Sequence, residues 1–132
     1  VRMRLTRRNR NYVGTQFGGS LYSMTDPFYM LMLMQHLGKD HIIWDQAAQI
    51  DFVAPGRGTV YARFRLTREQ IEGLRVAAAT GKATRPELLV DVVSDTGAVV
   101  ARVRKTLYIR LKPALRPPAA AEISIPLESV SE

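Results

Sequence analysis

The sequence predicts an α+β domain in which a curved antiparallel sheet wraps one long central helix, with one short surface helix inserted between strands. Three observations lead there. Beyond Pro27, the segment Gly19 to Leu37 is apolar on every side of a helical wheel, and a helix with no polar face is a buried helix. Five other segments alternate apolar and polar residues with the period of two that marks half-buried strands. Between two of them, Thr67 to Lys82 switches to helical spacing. A sheet on one side of the central helix would leave its far side bare. The strands are therefore expected to roll around it, and a second copy of the chain to cover what remains.

The elements follow in order. Val1, Met3 and Leu5 alternate with Arg2 and Arg4, a short strand whose arginine side suits a sheet edge. Asn9 to Gly19 is rich in Asn and Gly and reads as a loop delivering the chain to a helix start. The helix carries four of the five methionines, unbranched side chains that fill irregular gaps, and Gly38 stops it. In His41 to Val53 the alternation places Ile42, Trp44, Ala48, Ile50 and Phe52 on one face and Asp45, Gln49 and Asp51 on the other. In Thr59 to Leu66 it groups Val60, Ala62, Phe64 and Leu66. Thr67 and Gln70 have capping-box spacing, and Ile71, Leu74 and Ala78 recur at helical intervals before Gly81. Glu87 to Ser94 and Val99 to Leu111 close the sheet across an Asp95-Thr96-Gly97 turn, with Val99, Ala101, Val103, Leu107, Ile109 and Leu111 facing inward.

A chain of 132 residues is one domain, expected over residues 1–112, followed by a Pro- and Ala-rich tail over 113–132. There is no cysteine, which excludes disulfides, a thiolate nucleophile and Cys-containing zinc sites. The two histidines, His36 and His41, lack metal-ligand spacing and a third ligand, so no metal and no cofactor are expected. The net charge of +7 sits in two strips, residues 1–10 and 101–116, the second assigned to the outer face of the sheet. Such strips attract polyanions. With no nucleic-acid motif and few aromatics beside them, nucleic acid is not the expected partner. The longest apolar run, Pro27 to Met34, is too short to span a bilayer, and no secretory signal is visible. A cytoplasmic protein without membrane partners is expected.

The stretch from Asn11 to Asp26 resembles the signature of hotdog-fold acyl-CoA thioesterases of the phenylacetyl-CoA thioesterase type. That signature runs Asn-x-x-Gly-x-x-His-Gly-Gly, with an acidic residue seven positions after the second glycine. Asn11, Gly14, Gly18, Gly19 and Asp26 fall in the matching places, while Phe17 stands where the family has histidine and Pro27 follows the acid. The likeness extends over roughly residues 1–111, with the inserted helix pointing to a less characterised subfamily. It implies a hotdog fold, hydrolysis of an acyl-CoA or similar acyl thioester, and a site shared between the subunits of a dimer or tetramer.

Thioester hydrolysis needs donors for the developing oxyanion and a group that activates water or itself attacks. Backbone N–H groups at a helix start are such donors, and Gly18 and Gly19 would let a carbonyl approach closely. Asp26 is the candidate base or nucleophile, and Asn11 could hold a water or carbonyl oxygen. Phe17, Ser20 and Arg57 are candidates for substrate contact, Arg57 toward the coenzyme A phosphates. Seven residues of helix between Gly19 and Asp26 span roughly 10 Å at ~1.5 Å per residue, too far for one carbonyl, so the two halves would have to meet across a two-fold axis. Structural roles compete at each position. Glycines make tight turns, Thr25-Asp26-Pro27 reads as an N-cap with proline at the first helical position, and Pro27 could instead kink a continuous helix. A hotdog protein that binds an acyl or aromatic ligand without catalysis is the alternative.

Overall fold

A computed structural model describes residues 1–119; the part of the expected tail from 120 to 132 lies outside the described residues. Five strands form one antiparallel sheet in the order β1-β3-β4-β5-β2. They are β1 (Arg2–Met3), β2 (His41–Phe52), β3 (Val60–Ala62), β4 (Glu87–Ser94) and β5 (Val99–Leu111). The inner face is lined by Val60, Ala62, Val90, Val92, Ala101, Val103, Leu107 and Ile109, all buried. The expected curved sheet around a helical rod is present. Among the described residues, no helix is long and apolar enough to cross a membrane.

The rod is broken into α1 (Gly18–Ser23) and α2 (Phe28–Leu37), with Met24 to Pro27 between them. Pro27 itself is the N-cap of α2 and no side chain caps that helix, so the N-cap role expected of Asp26 is not realised. Tyr29, Leu33 and Leu37 recur every four residues and form the buried stripe of α2, while Leu31 and Met34 on other faces stay about half exposed. One sheet covers one stripe, so the described residues of a single chain do not fully enclose an all-round apolar helix.

The inserted helix α3 (Arg68–Ala79) has its complete capping box between Thr67 and Gln70 and buries Ile71 and Ala78. It packs on β5 and α2. β3 is shorter than the alternation predicts, because Phe64 and Leu66 leave the sheet to pack on the core. Phe64 sits 5.1 Å from the Phe28 ring and meets Tyr29 edge-on at 5.0 Å, centroid to centroid.

Two irregularities change which residues face inward. On β2, Asp45 pairs with Leu107 and Ala47 with Thr106, leaving Gln46 as an extra residue opposite no partner. Directly paired residues share a face, so Ile43 and Asp45 join the inner face before this bulge and Ala48 and Ile50 after it. Trp44 is thereby turned outward, against the expectation, and stacks on Tyr108 at 4.3 Å. On β5, Val93 pairs with Val99 and Val92 with Ala101, so Val100 is the extra residue and Val99 leaves the inner face.

Candidate active site

Gly18 and Gly19 open α1, and the Phe17 carbonyl accepts from the amides of Ser20 and Leu21. The glycine amides lie in the first turn and have no intrahelical acceptor. Both glycines are packed against aromatic rings. A Cβ on Gly18 would lie 3.0 Å from the Phe52 ring, and one on Gly19 would lie 2.6 Å from the ring of Phe17. Two hollows flank this helix start. One, of about 450 Å³, is lined by Asn11, Thr15, Gln16, Gly18, Leu21 and Phe52. The other, of about 550 Å³, is lined by Arg2, Phe17, Gly19, Ser20, Ser23 and Met24.

The loop before α1 is held by its own side chains. Asn11 Oδ1 accepts from the amides of Val13 and Thr15 at 3.1 and 2.9 Å, and its Nδ2 donates to Thr15 Oγ1 at 2.8 Å. These bonds close the Asn11–Thr15 turn, an Asx-type arrangement. The buried Gln16 donates its amide to the Gly56 carbonyl and Nε2 to the Gly58 carbonyl. Its Oε1 is buried without a partner among the described residues. Arg57 is exposed and lines a neighbouring hollow that shares Ala54 and Pro55 with the hollow beside Gly18.

Asp26 lies at the break in the rod, outside the lining of both hollows. Its Oδ1 accepts from Lys105 Nζ at 2.7 Å. Lys105 also faces Asp45 Oδ2 at 3.2 Å and the Tyr22 hydroxyl at 3.5 Å. Its side chain is 1% exposed, while that of Asp26 is 44% exposed. The Lys105 hydrogen bond holds the Asp26 carboxyl below its ordinary pKa, with Asp45 and the Lys105 charge adding to the effect against partial desolvation. Burial pushes Asp45 up, and the neighbouring Asp26 reinforces that shift against the opposing pull of Lys105. For Lys105, burial is the largest single influence and favours the neutral amine, but the two carboxylates and Tyr22 together outweigh it and raise its pKa.

The family model described as Domain of unknown function (DUF4442) matches residues 1–109. The chain belongs to this DUF4442 family. No curated protein matches the sequence. Solved structures share the fold of this DUF4442 chain at low identity. A Pseudomonas aeruginosa protein described as a probable thioesterase is 23% identical, over 84% of this chain and 74% of that one, with a TM-score of 0.73. A Haemophilus influenzae thioesterase is 16% identical over 90% of this chain and 73% of that one, at 0.59. A Bacillus halodurans protein solved with CoA is 17% identical over 83% and 69%, at 0.56. The hotdog fold is therefore that of the DUF4442 chain.

Within one DUF4442 chain, then, Gly18 and Asn11 line one hollow, Phe17, Gly19 and Ser20 the other, Arg57 a third, and Asp26 lies apart on Lys105. Lys105, Asp45 and Tyr22 were not among the residues expected at the site. Lys105 was assigned with the basic strip on the outer face, and the structure places it inward. Its signal was in the alternation, since it has the parity of Val103 and Leu107 rather than of Arg102 and Arg104. Asp45 carried no such signal, because only the bulge at Gln46 brings it inward.

Proposed function

We propose that this chain hydrolyses an acyl thioester of the coenzyme A type, at a site completed by a second copy of the chain. The observation that carries the reading is the Asp26 carboxylate. It is anchored by a buried ammonium at a break in the central rod, yet 44% exposed and therefore within reach of substrate. An ionised carboxylate in that setting activates water or attacks. In the water route, the water oxygen bonds to the thioester carbonyl carbon and its proton passes to Asp26. The C–S bond then breaks with its electron pair on sulfur, which takes up the proton, giving a carboxylic acid and a thiol. The amides of Gly18 and Gly19 receive the carbonyl oxygen as charge develops on it. Asn11 holds the loop that walls the cavity, Phe17 and Ser20 flank the acyl group, and Arg57 meets the phosphates.

Asp26 and the Gly18 hollow are separate within one chain, so the oxyanion donors of one copy face the carboxylate of another. The half-exposed Leu31, Met34, Phe52 and Val53 supply the apolar surface for such pairing. The low-identity likeness to a thioesterase and to a protein solved with CoA supports the chemistry. Thiol release across a panel of acyl-CoA substrates tests it, with Asp26→Ala and Asp26→Asn as controls and light scattering for the oligomeric state. Loss of about 100-fold or more in kcat is expected in both variants. Unchanged activity in both overturns the reading.

The phenylalanine at position 17 favours a second reading, an acyl- or aromatic-ligand binder without catalysis. Its ring lies against Gly19 and crowds the approach of a carbonyl to that residue. Native mass spectrometry that finds a retained apolar ligand, with the acyl-CoA panel inert, selects this alternative.

A further inference from the structure

Lys105 stands on the inner face of β5 between Val103 and Leu107, where the alternation calls for an apolar side chain. Its partners across the sheet are Ala48 on β2 and Leu88 on β4, neither of which bears charge. The charged and titratable groups that do face it come from three separate elements: Tyr22 from α1, Asp26 from the break in the rod, and Asp45 from the edge strand β2. An ammonium has three N–H donors, and three oxygens lie within 3.5 Å of this one. Burying a lysine so completely is costly unless paired. Apolar side chains in place of the whole charged cluster would hold the sheet to the rod equally well.

The oxygens are also used unequally. Asp26 gives Oδ1 to Lys105 and keeps much of its carboxylate open to solvent. Asp45 gives Oδ2 to Lys105 while its Oδ1 is buried with no partner among the described residues. A proton taken up by the cluster therefore has a place on Asp45 Oδ1, with Asp26 left ionised.

We propose that Lys105 and Asp45 are positioning residues for Asp26: the buried ammonium, seated between the two carboxylates, fixes Asp26 Oδ1 and leaves its other oxygen to meet the thioester or its attacking water. This rests on the hydrolysis reading and adds two residues to it. Displacing a reacting group by about 1 Å costs on the order of 100-fold in rate. Lys105→Met is accordingly expected to lower kcat on the best acyl-CoA substrate by about 100-fold, with little change in KM. The acid limb of its kcat/KM profile moves to higher pH, because Asp26 loses its cation. Asp45→Leu lowers kcat by about tenfold, and Asp45→Asn, whose amide oxygen still accepts from Lys105, retains more of the rate.

Carbon-detected NMR of the Asp26 carboxylate in the full chain supplies a readout independent of turnover, and thermal melts establish that each variant folds. An active wild type with unchanged kcat and pH profile in Lys105→Met overturns the positioning role and leaves hydrolysis standing. Should Lys105→Met not fold, equal rates in Asp45→Leu and the wild type overturn it in the same way. A wild type inert on every thioester, with Asp26 still titrating higher in folded Lys105→Met, overturns hydrolysis while supporting the anchoring of Asp26 by Lys105.

Discussion

Lys105 Nζ lies 2.7 Å from Asp26 Oδ1, a charge-assisted hydrogen bond between an ammonium that is 1% exposed and a carboxylate open on one side. Stability should therefore depend on pH at both ends. The folded-state pKa of Asp26 is depressed, so its contribution is present above the unfolded value of about 3.9 and lost as pH falls through the folded one. That of Lys105 is raised, so its contribution is full below about 10.4 and lost as pH rises through the folded value. Asp45 works in the opposite sense to Asp26, since its raised pKa returns stability as it protonates on acidification. Allowing for the exposure of Asp26, Asp26→Asn should cost about 1–2 kcal/mol at neutral pH. In thermal melts the gap to wild type should close in strong acid; a gap that persists unchanged there would contradict the pairing.

Gly56→Ala tests the loop that supports the helix start. Its Cβ would lie 2.9 Å from Gln16 Cγ and 3.0 Å from Gln16 Cβ. Gln16 cannot swing away, because its backbone amide is bonded to the Gly56 carbonyl and its side chain to that of Gly58. Overpacking of this kind costs about 1–3 kcal/mol, to be read from urea midpoints. Gly18→Ala and Gly19→Ala meet only exposed phenylalanine rings, which can turn aside, so their loss of stability should be smaller.

Tyr29→Phe removes a partly buried hydroxyl and its hydrogen bonding. The hydroxyl donates to the Leu89 carbonyl at 2.6 Å, while the ring packs edge-on against Phe64. Removing the oxygen keeps the ring contact and leaves the carbonyl without that donor. A loss of about 1–2 kcal/mol is expected by chemical denaturation.

Thr67→Ala should destabilise by about 1 kcal/mol, through loss of the hydroxyl that accepts from the Gln70 amide. Because α3 packs on β5 and α2, the loss should appear in the global unfolding transition and not as local fraying alone. Hydrogen exchange at Gln70 distinguishes the two.

Local rules made much of this fold readable. The Thr67–Gln70 capping box stands as its spacing predicts, the first strand lies at a sheet edge, and β4 and β5 have the predicted bounds. What strict periodicity missed are the places where tertiary packing interrupts it. Trp44 and Val99 have the parity of inward residues and face out, because the bulges at Gln46 and Val100 reset the count. Phe64 and Leu66 continue the strand pattern yet are drawn off to the core. Asp26 stands out as a candidate from its spacing to Gly19, but its cation lies far along the chain at Lys105. That lysine was hidden among arginines of the opposite parity.

The extra residue in β2 carries a consequence for any sequence that aligns with this one. Exchanging the Gln46 side chain would remove its contact with Arg85 and little else. Deleting the residue would leave Asp45 and Ala48 two positions apart and in phase, whereas keeping it in a ladder without the bulge would put them out of phase, so that either the carboxylate leaves Lys105 or the apolar half of the strand turns toward water. A relative one residue shorter at that point could keep the whole cluster on one face of an unbulged strand.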